Sequence, residues 1–438
     1  MSGSRQAPID SVPARPRVYA VATLDSKGRE LAFLAQAIRE AGADCMLVDV
    51  SLRGAPQIIP DISREQVAER HPGGRHAVFA EQAREASILA MGEALMRFLG
   101  AEQAAGRLQA AVGLGGSEGT SLIAPALRDL PLGIPKMLVS TLASGDTRAY
   151  VGTSDLAMVF PVSDIAGLNF LSRQVLRNAA FAVAGMARVG APAVATAPAV
   201  GLTMFGVTTP CVDMVRAGLE AKGWEGVVFH AVGTGGAAME EMAARGDFKA
   251  LIDLTTTEVA DALLGGIFPA VANRFDAVAL HDIPAVVSVG ALDMVNFGPR
   301  PSVPAGFRHR LLYSHTPLVT LMRTSPEENA AFGRFIAERL NMGSGPCVVL
   351  LPEGGISALD APGQPFHDPA ADEALFRSLE ASIRPSPLRK VQRVPFHIND
   401  LAFARVALNA LEDVLRREEA LRLKAGPRRP KGKPGYPA

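Results

Sequence analysis

The residues whose types and spacing best suit chemistry form a glycine-rich loop at positions 113–120, GLGGSEGT. The loop follows a short apolar run at 110–114 and precedes an apolar helical pattern that begins near Ser121. Glycines let a backbone approach phosphate oxygens, and the first N–H groups of a helix point at an anion. We therefore predict a phosphate-binding loop. Its candidate ligand residues are Gly115, Gly116, Ser117, Gly119 and Thr120.

The alternative for this loop is a tight turn that packs a helix against a strand. The glycines do not match the strict G-x-G-x-x-G dinucleotide pattern, and no G-K-[ST] of a P-loop follows them. The position of the loop between a strand and a helix favours anion binding.

Two further loops follow predicted strands in the same half of the chain. Residues 140–147 (STLASGDT) offer Thr141, Ser144 and Gly145 as ligand contacts. Asp146 is a candidate Mg²⁺ ligand, because Mg²⁺ is usually held by one or two carboxylates together with phosphates; an Asx-type turn is the alternative. In the loop at 23–28, Lys27 is a candidate phosphate partner.

Polar loops also follow strands in the second half of the chain. If the sheet is parallel, these loops meet at one edge and form a substrate site. The candidate substrate-binding residues are Thr208, Thr209, Gly235, Gly236, Thr256 and Thr257.

Three ionisable residues of this half are candidates for catalysis. Glu353 or His397 is a candidate base, and Arg323 is a candidate that contacts the metabolite, whereas Lys27 and Mg²⁺ on Asp146 are expected to neutralise charge. Histidine-held metal, at His230, His315 and His397, is a weaker alternative because no histidines show the i, i+4 spacing of a zincin.

The elements that position these loops alternate between apolar strands and helical patterns. Such alternation predicts an α/β protein with two Rossmann-like lobes, each a mainly parallel sheet flanked by helices. The expected boundaries are a disordered N-terminus at 1–16, a first lobe at 17–189, a linker at 190–198, a second lobe at 199–417 and a basic disordered tail at 418–438.

Composition limits the function classes. Lysine plus arginine equals aspartate plus glutamate at 44 each, so charge gives no case for a nucleic-acid or membrane-surface partner. The N-terminus has no apolar signal core, and the apolar stretch 179–210 is interrupted by arginine, proline and glycine. We expect a cytoplasmic protein whose three cysteines are buried and reduced.

At these loops the sequence resembles a known family, that of the ATP-binding N-terminal domain of the tomato mosaic virus resistance protein, over roughly residues 17–410. The resemblance is carried by VGLGGSEGTSL, PKMLVSTLASGDTRAYVG, GLTMFGVTTPCV, VFHAVGTGGAAME, LVTLMRTSPEE, LPEGGISALDAPGQPF and PFHIND. It implies two Rossmann-like lobes, binding of ATP with Mg²⁺ and a homodimer. The family's barrel domain is absent here, so a separately encoded barrel protein is a possible partner. Thr316 after His315 departs from the asparagine expected there.

The functional expectation is an ATP-dependent enzyme. ATP occupies the first lobe, and a small metabolite in the inter-lobe cleft undergoes phosphoryl transfer or ATP-driven activation, as in a transferase or ligase. One alternative is a nucleotide-sensing module that regulates a partner without turnover. A second is a metal-dependent lyase or hydrolase.

Overall fold

A computed structural model describes residues 15–80, 83–190 and 197–425. The chain divides into two compact units, the first before residue 195 and the second from there on. Most of the expected linker, residues 191–196, lies outside the described residues, as do residues 1–14 of the expected disordered N-terminus. Both units are α/β, which confirms the predicted fold class.

The first unit is built on a five-stranded sheet in the order β2-β1-β3-β4-β5. Every neighbouring pair is parallel. The strands are β1 (Arg17–Ala22), β2 (Asp44–Asp49), β3 (Ala110–Gly115), β4 (Lys136–Ser140) and β5 (Ala157–Val159). The central strands are mainly apolar, as expected for a parallel sheet that helices cover on both faces.

Alternate residues of β1 enter opposite cores of this unit. Val18 and Ala20 face α1 (Leu24–Glu40) and α7 (Phe170–Val189). Tyr19 and Val21 face α4 (Arg84–Ala104) and α5 (Ser117–Asp129). This two-residue alternation fixes which loops lie above each face of the sheet. The remaining helices are α2 (Arg64–Ala68), α3 (Gly74–Phe79) and α6 (Arg148–Val151).

The second unit contains a six-stranded parallel sheet in the order β14-β13-β9-β8-β6-β7. A smaller antiparallel sheet, β10-β12-β11, was not predicted from the sequence. The strands are β6 (Ala199–Met204), β7 (Glu225–His230), β8 (Ala250–Thr255), β9 (Ala285–Gly290), β10 (Met294–Phe297), β11 (Leu312–Thr316), β12 (Val319–Arg323), β13 (Cys347–Pro352) and β14 (Arg389–Val394).

Helices cover both faces of the six-stranded sheet. One face packs against α8 and α14, and the other packs against α9, α12 and α13. The helices are α8 (Thr209–Glu220), α9 (Thr234–Arg245), α10 (Glu258–Leu264), α11 (Asp276–Ala279), α12 (Pro326–Leu340), α13 (Pro369–Ser382) and α14 (Leu401–Ala425). Cys45, Cys211 and Cys347 are buried and form no disulfide, as expected. No described helix has the length and apolar character needed to span a membrane.

The last helix corrects the expected start of the tail. We expected disorder from residue 418, but α14 continues to Ala425. Glu418 is buried and accepts a hydrogen bond from Arg422 at 2.8 Å, one helical turn later. This i, i+4 pair supports the helix where composition alone suggested disorder. Residues 426–438 lie outside the described part of the chain.

Strand order creates a crevice in each sheet. β1 has β2 on one side and β3 on the other, so the chain leaves β1 and β3 towards opposite faces. Ligands of open α/β sheets bind beyond the carboxyl ends of the strands at such a switch point. In the first unit, the loops after β1, β2 and β3 are therefore placed to bind a ligand.

Candidate functional site

A pocket of about 460 Å³ lies at the carboxyl ends of β1, β2 and β3 in the first unit. Four segments supply its described walls: the start of α1 with its N-cap residue Thr23, the loop after β2, the start of α4 and the start of α5. The lining residues are Thr23, Asp25, Ser26, Lys27, Leu52, Arg53, Arg84, Ser87, Gly116, Ser117, Glu118 and Gly119. The structure thus brings together Lys27 and three of the predicted loop residues, Gly116, Ser117 and Gly119.

The start of α5 offers backbone donors to this pocket. Gly116 occupies the N-cap position and no side chain caps the helix. The first intrahelical bond at this end runs from the Thr120 amide to the Gly116 carbonyl, at 2.8 Å. The amides of Ser117, Glu118 and Gly119 precede it, and a helix leaves such amides without an internal partner. Their N–H groups and the helix dipole favour an anion here.

The start of α1 lines the same pocket but has already used its amides. Asp49 Oδ1 accepts from the Leu24 amide at 3.1 Å, and Ser51 Oγ accepts from the Asp25 amide at 3.0 Å. The Lys27 amide donates to the Thr23 carbonyl at 2.8 Å. Of the two helix starts at this pocket, α5 is therefore the one that can receive a ligand.

Three cationic side chains line the pocket. Lys27 is half-buried, and its ammonium group donates to the carbonyl oxygen of Ile165. Arg53 is exposed, and Arg84 forms an ion pair with Glu118. Sequence reasoning found Lys27 and missed both arginines, since only the strand order places β2 and α4 beside the glycine loop.

Two residues of the glycine loop have structural roles. A Cβ atom on Gly115 would lie 2.8 Å from the Gly119 Cα atom and 3.0 Å from the Thr120 nitrogen. Gly115 therefore permits the close approach of β3 and α5, as in the tight-turn alternative. Thr120 is buried, and its hydroxyl lies 2.6 Å from the Ser140 hydroxyl, so it does not face the pocket. A Cβ atom on Gly116 meets only the Thr141 hydroxyl, at 3.9 Å.

These contacts predict that two neighbouring alanine substitutions differ in their effect on stability. Gly115→Ala should lower the free energy of unfolding of the first unit by about 1–3 kcal/mol, because backbone must move. Gly116→Ala should change it by less than about 0.5 kcal/mol. Urea unfolding followed by circular dichroism measures both. Equal stability of the two variants would contradict the described packing of β3 on α5.

The second predicted loop does not join the described lining of the pocket. Thr141 begins a single 3-10 turn that ends at Ser144, and only its hydroxyl approaches Gly116. Ser144 and Gly145 are exposed beside it. Asp146 accepts three hydrogen bonds from the Arg148 guanidinium group, at 3.0, 3.1 and 2.6 Å, and this arginine lowers the pKa of Asp146 to about 2. An exposed carboxylate already paired in this way is a poor match for the predicted Mg²⁺ ligand.

The polar loops of the second unit meet, as strand order requires, but they bond mainly to each other. Thr208 and Thr256 are buried, and their hydroxyls contact the Thr255 hydroxyl at 2.8 Å and the Ser288 carbonyl at 3.2 Å, respectively. Thr257 is also buried, whereas Thr209 is half-buried and contacts the Phe205 carbonyl. The hydroxyls of Thr208 and Thr256 are therefore engaged within the fold, contrary to the expectation that they face a substrate. The Thr257 hydroxyl has no hydrogen-bond partner among the described residues, so its assignment stays a prediction.

The two glycines predicted to contact substrate are sites of close packing. A Cβ atom on Gly235 would lie 1.9 Å from the His230 carbonyl oxygen, and one on Gly236 would lie 2.2 Å from the Glu258 carboxylate. The Gly236 amide donates to Glu258 at 3.2 Å. An acidic side chain of the protein therefore occupies the position where we expected a ligand.

Glu258 belongs to a buried ionic cluster that sequence reasoning missed. Arg274 is 1% exposed and contacts three carboxylates, Glu240 at 3.1 Å, Asp253 at 2.7 Å and Glu258 at 2.9 Å. Burial raises the pKa of Glu240 to about 7, against the attraction of Arg274. Arg274 lies in a loop before α11 with no periodic pattern, so its burial had no signal in the sequence.

The candidate catalytic arginine, Arg323, is buried and fully engaged. Its guanidinium group donates to the Phe366 carbonyl at 2.7 Å and to Asp372 at 3.2 Å, and it lies 3.5 Å from Asp360. Further contacts join it to Thr324. Arg323 thus connects β12 to α13 and to the loop after β13, which is a structural role.

The two candidate bases are placed differently. Both ring nitrogens of His397 are bonded to backbone: one contacts the Ser357 carbonyl at 2.8 Å, and Nδ1 accepts from the Asn399 amide at 3.0 Å. This pattern fits a neutral imidazole and leaves neither nitrogen for substrate. Glu353 is exposed, 3.6 Å from Arg393.

The metal-dependent alternative has little support in the described part of the chain. His230 stacks on Phe205 with ring centroids 5.5 Å apart, and His315 is exposed on β11. No described group of three or more histidine, cysteine, aspartate or glutamate side chains is arranged to hold a metal ion.

Comparison with known proteins supports the resemblance seen in the sequence. Residues 16–192 match the N-terminal domain of UPF0261, an uncharacterised protein family, and residues 197–415 match its C-terminal domain. A UPF0261 protein of Rhizobium meliloti is 52% identical over 398 residues, which cover 91% of this chain and 99% of that protein. The ToMV resistance protein Tm-1 of Solanum lycopersicum is 42% identical over 421 residues, covering 91% of this chain and 55% of the tomato protein. The chain therefore belongs to the UPF0261 family.

Proposed function

We propose that the first unit binds ATP, with the phosphates seated on the uncapped start of α5. The observation that carries this proposal is the pocket that joins the amides of Ser117, Glu118 and Gly119 to the side chain of Lys27. Backbone donors at a helix start, a nearby ammonium group and a switch point in a parallel sheet are the usual components of a phosphate site.

Each group in the pocket has a distinct task in this proposal. The α5 amides donate to phosphate oxygens, and the Ser117 hydroxyl, which is exposed at the same turn, adds a donor. The Lys27 ammonium group exchanges the Ile165 carbonyl for a phosphate oxygen, gaining a charge-assisted bond. Gly116 keeps the entrance to the helix start open, because its missing side chain faces space rather than packed atoms.

Mg²⁺ fits this site through Asp25 better than through Asp146. Asp25 lies in the first turn of α1 and lines the pocket, whereas Asp146 is paired with Arg148. Mg²⁺ bound with a nucleotide needs only one or two protein carboxylates, since phosphates and water supply the other oxygens. When bound, the ion would neutralise phosphate charge, and Asp25 would orient it.

The contacts of the candidate catalytic residues favour ATP binding in the first unit without a catalytic step in the second unit. Arg323 and His397, two of the three candidate catalytic residues, use their hydrogen-bonding groups in contacts within the fold, whereas Glu353 is exposed. We therefore assign no catalytic step to Arg323 and His397. This observation favours a nucleotide-sensing protein over an enzyme that uses Arg323 and His397 in catalysis.

The proposal predicts a loss of ATP affinity when Lys27 is neutralised. Lys27→Met should weaken ATP binding by tenfold or more, about 1.4 kcal/mol, because one charge-assisted phosphate contact is lost. Isothermal titration calorimetry with and without Mg²⁺ measures this change. Lys222→Met is the matched control, since Lys222 is an exposed lysine of the second unit paired with Glu412. ATP that fails to bind the wild-type protein, or that binds all three proteins alike, would refute the proposal.

A further inference from the structure

We infer that this pocket recognises the triphosphate chain and is indifferent to the nucleoside base. The inference rests on the proposed function and narrows its substrate class to polyphosphate anions. Three observations carry it: the chemical character of the walls, the charge that the walls leave unbalanced and the state of the carboxylate at the end of β2.

The walls of the pocket suit a polar chain better than a flat ring. Of the described lining residues, Leu52 alone is aliphatic and none is aromatic. The others are charged side chains, hydroxyl side chains and glycines. Pockets that hold a heterocycle are lined mainly by apolar and aromatic side chains with a few polar groups. The described walls offer an adenine ring little apolar surface to pack against.

The charges on the walls call for an anion. Among the described residues, the only carboxylate ion-paired with a cation of the pocket is Glu118, which pairs with Arg84. Lys27 bonds to a backbone carbonyl, and Arg53 is exposed with no carboxylate within ion-pair distance in the described part of the chain. Lys27 and Arg53 are thus available to a ligand in a pocket of about 460 Å³. The walls carry three cations, Lys27, Arg53 and Arg84, against two carboxylates, Asp25 and Glu118, so one positive charge is in excess. A triphosphate supplies several negative charges along one chain, which a single carboxylate does not.

The carboxylate that would read a ribose is already occupied. In dinucleotide-binding folds an acidic residue near the end of β2 bonds to the ribose hydroxyls. Here the corresponding position is Asp49, which is 1% exposed. Its Oδ1 atom accepts from the Leu24 amide at 3.1 Å and from the Ser51 amide at 2.9 Å. Asp49 therefore fixes the start of α1 and is not available to a sugar.

The experiment compares ligands that share only part of ATP. ATP, GTP, inorganic tripolyphosphate and adenosine are titrated into the full chain without Mg²⁺. ATP and GTP should bind within about threefold of each other, tripolyphosphate should displace ATP, and adenosine should not bind. Arg53→Gln should weaken ATP and tripolyphosphate by the same factor, about tenfold, because both lose the same contact. Its thermal midpoint, compared with wild type, shows that the variant folds.

The outcomes separate this inference from the proposed function. If ATP binds but tripolyphosphate does not displace it, the inference is overturned and nucleotide binding stands. Binding of adenosine, or a preference for ATP over GTP above about tenfold, overturns it equally. If neither ATP nor tripolyphosphate binds, the proposed function fails and the inference fails with it.

Discussion

Replacing Arg274 with methionine should destabilise the second unit by about 3–5 kcal/mol, the range found when one partner of a buried ion pair is removed. The side chain is fully buried and contacts Glu240, Asp253 and Glu258. Without it, three carboxylates lie in the interior with no cation among them. Trp224 is the only tryptophan of the chain and packs at the edge of a core of the second unit. Denaturant unfolding followed by its fluorescence reports directly on this unit.

Arg245→Met is the matched control for this substitution. Arg245 is exposed in the same unit and pairs with Asp247 at 3.3 Å. Loss of an exposed pair should change the free energy of unfolding by less than about 1 kcal/mol. If Arg274→Met costs no more than the control, the buried cluster does not stabilise the fold as described.

Stability of the second unit should fall as pH rises, and Asp372→Asn should reduce that fall. Burial, together with the nearby carboxylate of Asp360, raises the pKa of Asp372 to about 9. A carboxyl group whose pKa is raised on folding binds more protons in the folded state than in the unfolded state. Its contribution is complete below the ordinary pKa near 3.8 and is lost progressively as pH rises towards 9. Asp293, with its pKa raised to about 7 by burial, acts in the same direction.

Asparagine mimics the protonated acid at this position. It can donate to Asp360 while still accepting from Arg323, so Asp372→Asn should be about 1–3 kcal/mol more stable than wild type at pH 8. At pH 4 the two proteins should be close to equal. The neighbouring Glu373→Gln is the control, because Arg393 lowers the pKa of Glu373 and its loss cannot produce the same gain. A wild-type protein that becomes more stable between pH 5 and pH 8 while Asp372→Asn does not would contradict this account.

The sequence predicted the architecture because its strongest signals are local. Apolar runs such as residues 110–114 and 136–140 are separated by helical patterns, and these positions are β3 and β4 in the structure. The antiparallel sheet was missed because β10, β11 and β12 are short and follow one another without an intervening α-helix. The end of α14 was missed because the basic composition of the tail outweighed the pairing of Arg422 with Glu418.

The candidate site was predictable only in part. Lys27 follows β1 and the glycine loop follows β3, and these strands are adjacent in the sheet. Residues found from the local sequence pattern therefore lie together in the structure. Arg53 enters the pocket from the loop after β2, which no spacing in the sequence indicates. In the second unit, Thr208 and Gly235 matched the same pattern of polar residues after strands. The sequence pattern could not show that Arg274, which is distant in the chain, gathers carboxylates beside these loops. The homodimer, the barrel partner and the cytoplasmic location stay predictions.

Binding of the ATP phosphates at the start of α5 can be tested by titrating ATP into Gly116→Val. The residue has φ −79° and ψ −155°, which valine adopts, and an added Cβ atom would meet only the Thr141 hydroxyl, at 3.9 Å, so the variant should fold with a thermal midpoint near that of wild type. The added methyl groups would occupy the approach to the Ser117 amide. The affinity of the folded variant for ATP should fall by at least about tenfold. Wild-type affinity in the folded variant would contradict it.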